Sequence, residues 1–141
     1  MPTRTSSARW EGDLKSGAGT VKTGSGSFQG SYSFPSRFES GEGTNPEELV
    51  AAAHAACYSM ALSNGLAKAG FTPTSVETSA AVQFGPVEGG FAITRIDLTT
   101  RGDVPGIDAA DFEKHALEAK AGCPISKALS AVEITLDAQL V

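Results

Sequence analysis

The chain has 141 residues, of which 40% are hydrophobic, so it is long enough to form one domain, 1–141, with a buried core. Its 16 acidic and 11 basic residues give a net charge of −5, which disfavours nucleic acids and anionic membranes as partners. The N-terminal residues do not resemble a secretion signal, which predicts a cytoplasmic protein whose two cysteines meet a reducing environment.

The N-terminal third of the chain is predicted to begin with two short strands. Residues 8–14 and 19–23 have strand character and are joined by a glycine-rich turn. Residues 24–43 are rich in Gly, Ser and Phe, and their glycines match no phosphate-binding spacing. This segment, which contains Arg37, is predicted to be a loop or an irregular strand.

Residues 44–70 are predicted to form a long central helix. Thr44 or Asn45 can cap its first turn, and Pro46 suits the first helical position. Gly70 is placed to end the helix. The residues between are nearly uncharged and mostly small or apolar, a pattern that predicts burial on nearly every face.

The remaining elements predict an α+β fold with a mostly antiparallel sheet packed around the central helix. Strands 76–84 and 91–101 come first and form a hairpin, with a bulge between Ile93 and Ile96. They are followed by a helix from Asp108 to about 121, a short helix from Cys123-Pro124 to about 130, and a strand at 132–140. One small sheet covers only one side of the helix, so a second copy of the chain is expected to cover the other side.

Two cysteines are the candidates for chemistry. Cys57 lies in the middle of the central helix, where the ordinary role is that of a small apolar residue. The helix dipole fades within the first turn, so a Cys57 thiolate needs a nearby cation, and Arg37 suits that task because it cannot lose its charge. His54, one turn away, could act as a base or equally be a hydrogen-bonded core residue. Cys123 lies at a helix start, where the dipole lowers a thiol pKa.

Several segments together resemble the OsmC branch of the OsmC/Ohr family, the osmotically inducible and organic-hydroperoxide-resistance proteins. The resemblance covers nearly the whole chain and rests most strongly on the helical run and the segment that contains Cys123. The matching segments are RFESGEGTNPEEL, NPEELVAAAHAACYSMALS, FTPTSVET, GFAITRI, VPGIDA, AKAGCP and VEITLD.

The resemblance implies an intertwined homodimer with an OsmC-like fold and thiol peroxidase activity. By position, Cys57 corresponds to the peroxidatic cysteine and Cys123 to the resolving cysteine. Arg37 corresponds to the arginine that holds the thiolate, and Glu47 to its ion-pair partner. The implied substrate is an organic hydroperoxide, with hydrogen peroxide a poorer one. The implied reductant is an external dithiol, either a small thiol or a lipoyl or thioredoxin-like protein. No metal, haem or flavin is implied.

Helix geometry adds an expectation about the subunits. Glu47 and Cys57 are ten residues apart in the central helix, which corresponds to about 15 Å of rise. A compact Cys–Arg–Glu cluster therefore predicts that Cys57 and Cys123 come from one subunit and Arg37 and Glu47 from its partner. Apolar walls near the thiol are expected from Met60, Phe34, Phe38 and Phe84.

Two other classes of function are compatible with the sequence. The side chains of His54, Cys57, His115 and Cys123 could hold a structural zinc ion, although their spacing matches no zinc-finger pattern. Alternatively, the chain could be a binding module without catalytic turnover, holding a small apolar ligand in the dimer groove.

Overall fold

A computed structural model describes all 141 residues, Met1–Val141. The backbone divides into two compact units, Met1–Leu49 and Val50–Val141. Each unit contains its own sheet of three strands. The α+β class is therefore confirmed, while the single domain 1–141 stays a prediction.

The N-terminal unit is built on an antiparallel sheet with the strand order β1-β2-β3. Its strands are β1 (Ser6–Glu11), β2 (Ala18–Thr23) and β3 (Gln29–Tyr32), and they are followed by the short helix α1 (Phe34–Phe38). The sequence predicted β1 and β2 but described the region of β3 and α1 as a loop or irregular strand. Both missed elements are only four or five residues long, which leaves too few positions for a periodic pattern.

The long helix α2 (Pro46–Lys68) begins and ends where the sequence predicts. Asn45 provides the cap, because its side-chain oxygen accepts a hydrogen bond of 2.8 Å from the Glu48 amide. The Thr44 hydroxyl instead donates to the Glu48 carboxylate, also at 2.8 Å. Gly70 follows the helix with φ +93°, a conformation that glycine adopts without strain.

Within one chain, α2 buries a single stripe rather than every face. The buried side chains recur every four residues, whereas Met60 on another face is 75% exposed. The predicted burial on nearly every face is therefore not reached within one chain, and the dimer that would complete it stays a prediction. The stripe consists of His54, Tyr58, Leu62 and Leu66.

The second unit contains a mixed sheet with the strand order β4-β5-β6. Strands β4 (Ser75–Val87) and β5 (Gly90–Asp103) form the predicted antiparallel hairpin, and β6 (Glu133–Leu140) pairs with β5 in parallel. The predicted bulge is confirmed, because the pairing passes from Arg95 to Ile93 and leaves Thr94 as an extra residue. The parallel pair follows from the two helices that connect β5 to β6.

These connecting helices are α3 (Ala109–Gly122) and α4 (Pro124–Ala128). Asp108 caps α3 as predicted, since its carboxylate accepts a 2.8 Å hydrogen bond from the Asp111 amide. The core of the unit joins α2, α3 and the sheet through the buried side chains of Tyr58, Leu62, Leu66, Ile96, Leu98, Phe112 and Ala116. None of the helices combines the length and the apolar character that crossing a bilayer requires.

Candidate active site

Two of the four predicted site residues meet in the second unit. Cys57 lies on α2 and Cys123 immediately precedes α4, 66 residues later in the chain. Their sulfur atoms are 2.9 Å apart, which is within hydrogen-bonding distance, and both residues are free thiols. The fold therefore brings the two thiols close enough to react with each other.

The two thiols differ in accessibility and in pKa. Cys57 is partly exposed, and burial, together with the hydrogen bond and the charge of Cys123, raises its pKa. Cys123 is fully buried at 0% exposure. Burial alone would raise the pKa of Cys123, but its hydrogen bond with Cys57 and its interactions with the Ser126 amide and hydroxyl and the Ile125 amide outweigh that effect and lower the pKa. Within this unit the thiolate is therefore favoured at Cys123.

Cys57 opens onto a cavity of about 690 Å³. Both α2 and α3 line the cavity, and the Cys57 sulfur is thereby accessible to a small molecule in a way that buried Cys123 is not. Other lining residues are Met60, Ala61, Asn64, Gly65, Lys68, His115, Glu118, Ala119, Gly122 and Pro124.

A buried histidine, His54, lies one turn before Cys57 on α2. His54 is 0% exposed, and its Nε2 lies 2.8 Å from the hydroxyl oxygen of Ser126, which is 5% exposed. The other ring nitrogen, Nδ1, is buried without a hydrogen-bond partner. Burial lowers the pKa of His54, so the neutral imidazole is favoured. The sequence left open whether His54 acts as a base or is a hydrogen-bonded core residue, and its burial and its bond to Ser126 agree with the core residue.

Sequence reasoning missed Ser126. It is the third residue after Cys123, in Cys-Pro-Ile-Ser, and lies in the first turn of α4. An N-terminal helical turn directs its amides back toward the residue that precedes it. A hydroxyl-bearing residue three positions after a cysteine that immediately precedes a helix was the available signal.

The other two predicted site residues meet in the N-terminal unit. Arg37 on α1 and Glu47 at the start of α2 form an ion pair in which Nη2 lies 2.8 Å from Oε1. The Arg37 Nε is 3.3 Å from each carboxylate oxygen. Glu47 is buried, so this forked contact both compensates a buried charge and orients the guanidinium.

Serine and asparagine side chains hold α1 against the start of α2. Ser33 and Ser36 form a reciprocal capping box at the start of α1. The Ser36 hydroxyl donates to the Thr44 carbonyl at 2.7 Å, and the Asn45 amide donates to the Ser36 carbonyl at 3.1 Å. These bonds fix the two backbone segments that carry Arg37 and Glu47.

Aromatic side chains lie beside Arg37. Its Cζ lies 5.5 Å from the centroid of the Phe38 ring, which stacks on Phe34 with centroids 4.7 Å apart. Together with Trp10 and Tyr32 they line a cavity of about 270 Å³ in the N-terminal unit.

The side chains expected to form apolar walls near the thiol occupy different places. Met60 lines the cavity at Cys57. Phe34 and Phe38 line the cavity at Arg37. Phe84 packs on Phe91 with ring centroids 5.6 Å apart and is not among the residues that line either cavity.

The alternative zinc site is not formed. No group of three or more His, Cys, Asp and Glu side chains converges in an arrangement that could hold a metal ion. Of the four residues considered for zinc, Cys57 and Cys123 are joined by a hydrogen bond.

Comparison with known proteins identifies close similarities. The family model described as OsmC-like protein matches residues 39–137. The chain is 59% identical over 134 residues to "Peroxiredoxin OsmC" of Escherichia coli (strain K12), covering 94% of this chain and 93% of the relative. It is 36% identical over 98 residues to "Organic hydroperoxide resistance protein" of Xanthomonas axonopodis pv. citri (strain 306), covering 68% of this chain and 67% of the relative.

A solved structure with a similar fold is the organic hydroperoxide resistance protein OsmC from Legionella pneumophila. It superposes with a TM-score of 0.74 at 25% sequence identity, and the match covers 96% of each chain. The similarity therefore extends over both units of the present chain.

Proposed function

This chain belongs to the OsmC-like protein family, and we propose that it reduces organic hydroperoxides to alcohols with Cys57 as the peroxidatic and Cys123 as the resolving cysteine. The family members with curated names support the broader class, a cysteine-based peroxidase. The observation that carries the proposal is the 2.9 Å separation of two free thiols, one of which lines an open cavity.

The proposed cycle needs only these sulfur atoms, a hydroperoxide and a dithiol. The Cys57 thiolate attacks the distal oxygen, the O–O bond breaks, and the alkoxide takes up a proton to leave as alcohol while Cys57 becomes a sulfenic acid. The Cys123 thiolate then attacks that sulfur, and the hydroxide leaves with a proton as water. An external dithiol reduces the resulting disulfide in two exchange steps and is itself oxidised to a disulfide.

Accessibility favours Cys57 as the first sulfur to react. A hydroperoxide in the 690 Å³ cavity can reach Cys57, whereas Cys123 is fully buried. Thiolate stability within the unit favours the opposite order, because the pKa of Cys57 is raised by burial and by Cys123. The proposed order therefore requires an additional positive charge at Cys57.

We infer that Arg37 of the partner subunit supplies this charge, with Glu47 of the partner subunit orienting it. The forked Arg37–Glu47 contact supports this role, since it presents a rigid cation that cannot be titrated away. The α2 face that carries exposed Met60 supports a second copy of the chain as its cover. In the proposed dimer, Phe34 and Phe38 would accompany Arg37 and add apolar surface to each site.

The proposed substrate class follows from the apolar character of the cavity. Met60, Ala61, Ala119 and Pro124 line it beside Cys57. Each methylene group buried on binding is worth about 0.8 kcal/mol, an advantage that hydrogen peroxide cannot gain. We propose that the reductant is a small dithiol or a lipoyl or thioredoxin-like protein, and that the cycle runs in the cytoplasm, where such dithiols keep both cysteines reduced.

A peroxidase assay tests the proposal. The purified protein is supplied with a dithiol, and the consumption of cumene hydroperoxide is compared with that of hydrogen peroxide. A higher catalytic efficiency with cumene hydroperoxide is expected, together with complete loss of activity in Cys57→Ser. Absence of peroxide consumption by the wild-type protein, with unchanged binding of a small apolar ligand by Cys57→Ser, would favour a non-catalytic binding module.

A further inference from the structure

The cavity at Cys57 extends along α2 well beyond the thiol. Its lining residues on α2 follow one another at helical spacing and lie on one face of the helix. They run from Cys57 to Lys68, which corresponds to about 16 Å of helical rise. The thiol therefore occupies only one end of the cavity. The lining residues of α2 are Cys57, Met60, Ala61, Asn64, Gly65 and Lys68.

Helix α3 forms the opposite wall and runs antiparallel to α2. Cys123, which directly follows α3, is in contact with Cys57. His115, about two turns earlier in α3, faces Gly65, about two turns later in α2. The two cysteines thus mark one end of the cavity, and His115 and Gly65 lie toward the other.

The two ends of the cavity differ in polarity. Beside Cys57 the walls are formed by small or apolar side chains, among them Ala61 and Pro124. The far end is polar, and there the His115 Nδ1 lies 3.6 Å from the Glu118 carboxylate. Lys68 and Glu118 place one positive and one negative charge at this end. The polar lining residues are Asn64, Lys68, His115 and Glu118.

Gly65 lies between the two ends and has no evident structural purpose. A glycine in the interior of a helix is destabilising relative to alanine. The backbone does not require it, because Gly65 is not among the residues with positive φ. A Cβ atom added at Gly65 would have the His115 Nδ1, at 4.0 Å, as its nearest neighbour from outside the turns around it, which is an ordinary van der Waals distance. The packing of α2 on α3 would therefore accept alanine, and the missing side chain adds its volume to the cavity.

We propose that Gly65 is a specificity-determining residue that lets a linear hydroperoxide lie along the cavity, and that the site prefers a chain ending in an uncharged hydrogen-bonding group such as a hydroxyl. This inference rests on the proposed function, and the covalent steps remain those of the proposed cycle. The hydroperoxide group lies at Cys57, and the apolar chain passes over Gly65. Gly65 is about 12 Å along α2 from Cys57, a distance that a chain of on the order of eight carbons spans.

The polar end determines which terminal group is favoured. A methyl group placed there would desolvate Asn64 and His115 without replacing their hydrogen bonds to water. A carboxylate would be attracted by Lys68 but repelled by Glu118, and the net charge of −5 on the chain opposes an anion as well. A hydroxyl group can both donate and accept a hydrogen bond and meets no opposing charge.

The first experiment compares three hydroperoxides that differ only at the far end of the chain. Octyl hydroperoxide, its ω-hydroxy analogue and its ω-carboxylate analogue are each mixed rapidly with the reduced wild-type protein, and the rate constant of Cys57 oxidation is measured. The ω-hydroxy compound should react about two- to tenfold faster than octyl hydroperoxide, the gain expected from one hydrogen bond. The carboxylate should react more slowly than the ω-hydroxy compound. A fastest reaction with octyl hydroperoxide or with the carboxylate would contradict the proposal.

The second experiment fills the space above Gly65. Gly65→Leu should slow the reaction with octyl hydroperoxide by about fourfold for each methylene group that loses its burial. Its rate with tert-butyl hydroperoxide should stay at the wild-type value, because this short molecule remains beside Cys57. Gly65→Ala should show a smaller loss with the octyl compound and a higher melting temperature. Ser63→Ala, a matched control in the same helix, does not line the cavity and should react with both substrates as the wild type does.

The third experiment removes the hydrogen-bonding group at the far end. His115→Leu should abolish the advantage of the ω-hydroxy compound over octyl hydroperoxide while leaving the rate with tert-butyl hydroperoxide unchanged. His115→Gln keeps a hydrogen-bonding side chain and should retain most of the advantage. An equal advantage in wild type and His115→Leu would remove His115 from the recognition of the end group.

Binding of alcohols separates this inference from the proposed function. Titration calorimetry of the reduced protein with octanol and with octanediol involves no peroxide, and the diol should bind more tightly to the wild type but not to Gly65→Leu. If the wild type consumes no hydroperoxide, the proposed function fails, while the calorimetry still tests the cavity. If Gly65→Leu slows octyl and tert-butyl hydroperoxide equally, or binds the diol as the wild type does, the inference is overturned. Should Gly65→Leu not fold, Gly65→Ala gives the same decision, since unchanged selectivity in a stabilised variant would contradict the role of Gly65.

Discussion

Arg37 and Glu47 are joined by a forked ion pair, with Nη2 of the arginine 2.8 Å from Oε1 of the glutamate and Nε 3.3 Å from both carboxylate oxygens. The contact links α1 to the first turn of α2, and its carboxylate is buried. Such a pair fixes the plane of the guanidinium more firmly than a single contact would. The direction in which Arg37 presents its charge therefore depends on Glu47.

Replacing Glu47 by Gln should reduce peroxidase activity while the chain still folds. The amide keeps the size of the side chain but removes the charge that orients Arg37, and hydrogen bonds to charged groups are worth roughly 1.5–3 kcal/mol. We expect the rate of Cys57 oxidation to fall by about tenfold or more, measured by rapid mixing with cumene hydroperoxide. Glu42→Gln removes the same charge from an exposed residue nearby and should react at the wild-type rate. Equal rates for both variants would remove Glu47 from the site.

The subunit origin of Arg37 can be tested with mixed dimers. If each site combines Cys57 of one subunit with Arg37 of the partner subunit, a heterodimer of a Cys57→Ser chain and an Arg37→Ala chain contains one intact site and one doubly damaged site. It should retain about half of the wild-type activity, measured on material purified through two different affinity tags.

A reciprocal heterodimer makes the test decisive. Here one chain carries both Cys57→Ser and Arg37→Ala, and the other chain is wild type. In the crossed arrangement each site lacks one essential residue, so this heterodimer should be nearly inactive. Sites contained within single chains predict the opposite pattern, with the first heterodimer inactive and the second half active.

Replacing Cys57 and replacing Cys123 should have different effects on the reaction with peroxide. Cys57→Ser should abolish reaction with peroxide, because the remaining thiol is buried. Cys123→Ser should react once and then accumulate sulfenic or further oxidised Cys57, since no neighbouring thiol can form the disulfide. Mass spectrometry of the intact protein after one equivalent of peroxide distinguishes the two. Oxidation of Cys123 in the Cys57→Ser variant at the wild-type rate would reverse the assigned roles.

The long helix, the hairpin and the final strand could be predicted because each is long enough to show its period. In β4 and β6 the alternation of apolar and polar residues extends over most of the strand, and the phase shift that predicted a bulge corresponds to the extra residue Thr94. The parallel pairing of β6 with β5 was not predicted, because alternation specifies which face is buried but not the direction of the neighbouring strand.

The candidate site was predictable only in part. The cysteines could be identified as residue types and by family resemblance, but the contact between Cys57 and Cys123 depends on how α4 packs near α2, which no local pattern encodes. Ser126 was missed because its partner, His54, lies 72 residues earlier in the chain. The small element α1 was missed because its capping box has serine at both positions rather than the usual glutamate or glutamine at the second.

The exposed face of α2 leads to a prediction about assembly. Met60 is 75% exposed within one chain, although it lies in the middle of a helix with almost no charged residues. If this face packs on a second copy, Met60→Lys should place a charge in the interface and shift the protein toward monomer, as measured by analytical ultracentrifugation across a dilution series. Met60→Leu keeps an apolar side chain of similar volume and should remain dimeric. A dimer of unchanged affinity in Met60→Lys would place the interface elsewhere.

The buried imidazole of His54 should make stability depend on pH. Burial lowers its pKa in the folded state below the value of about 6.5 that an exposed histidine has. Above that pH the ring is neutral in both states and imposes no penalty. As the pH falls below about 6.5, the unfolded chain takes up a proton that the folded chain does not, so the free energy of unfolding decreases until the folded-state pKa is reached.

Urea denaturation of the wild type should therefore show a midpoint that declines on mild acidification, and His54→Gln, which does not titrate, should show a smaller decline over the same interval. The matched comparison is His115→Gln, which removes the other histidine and should leave the decline caused by His54 in place. Equal slopes for the wild type and His54→Gln would mean that His54 takes up its proton to the same extent in the folded and the unfolded chain, contrary to a pKa lowered by burial.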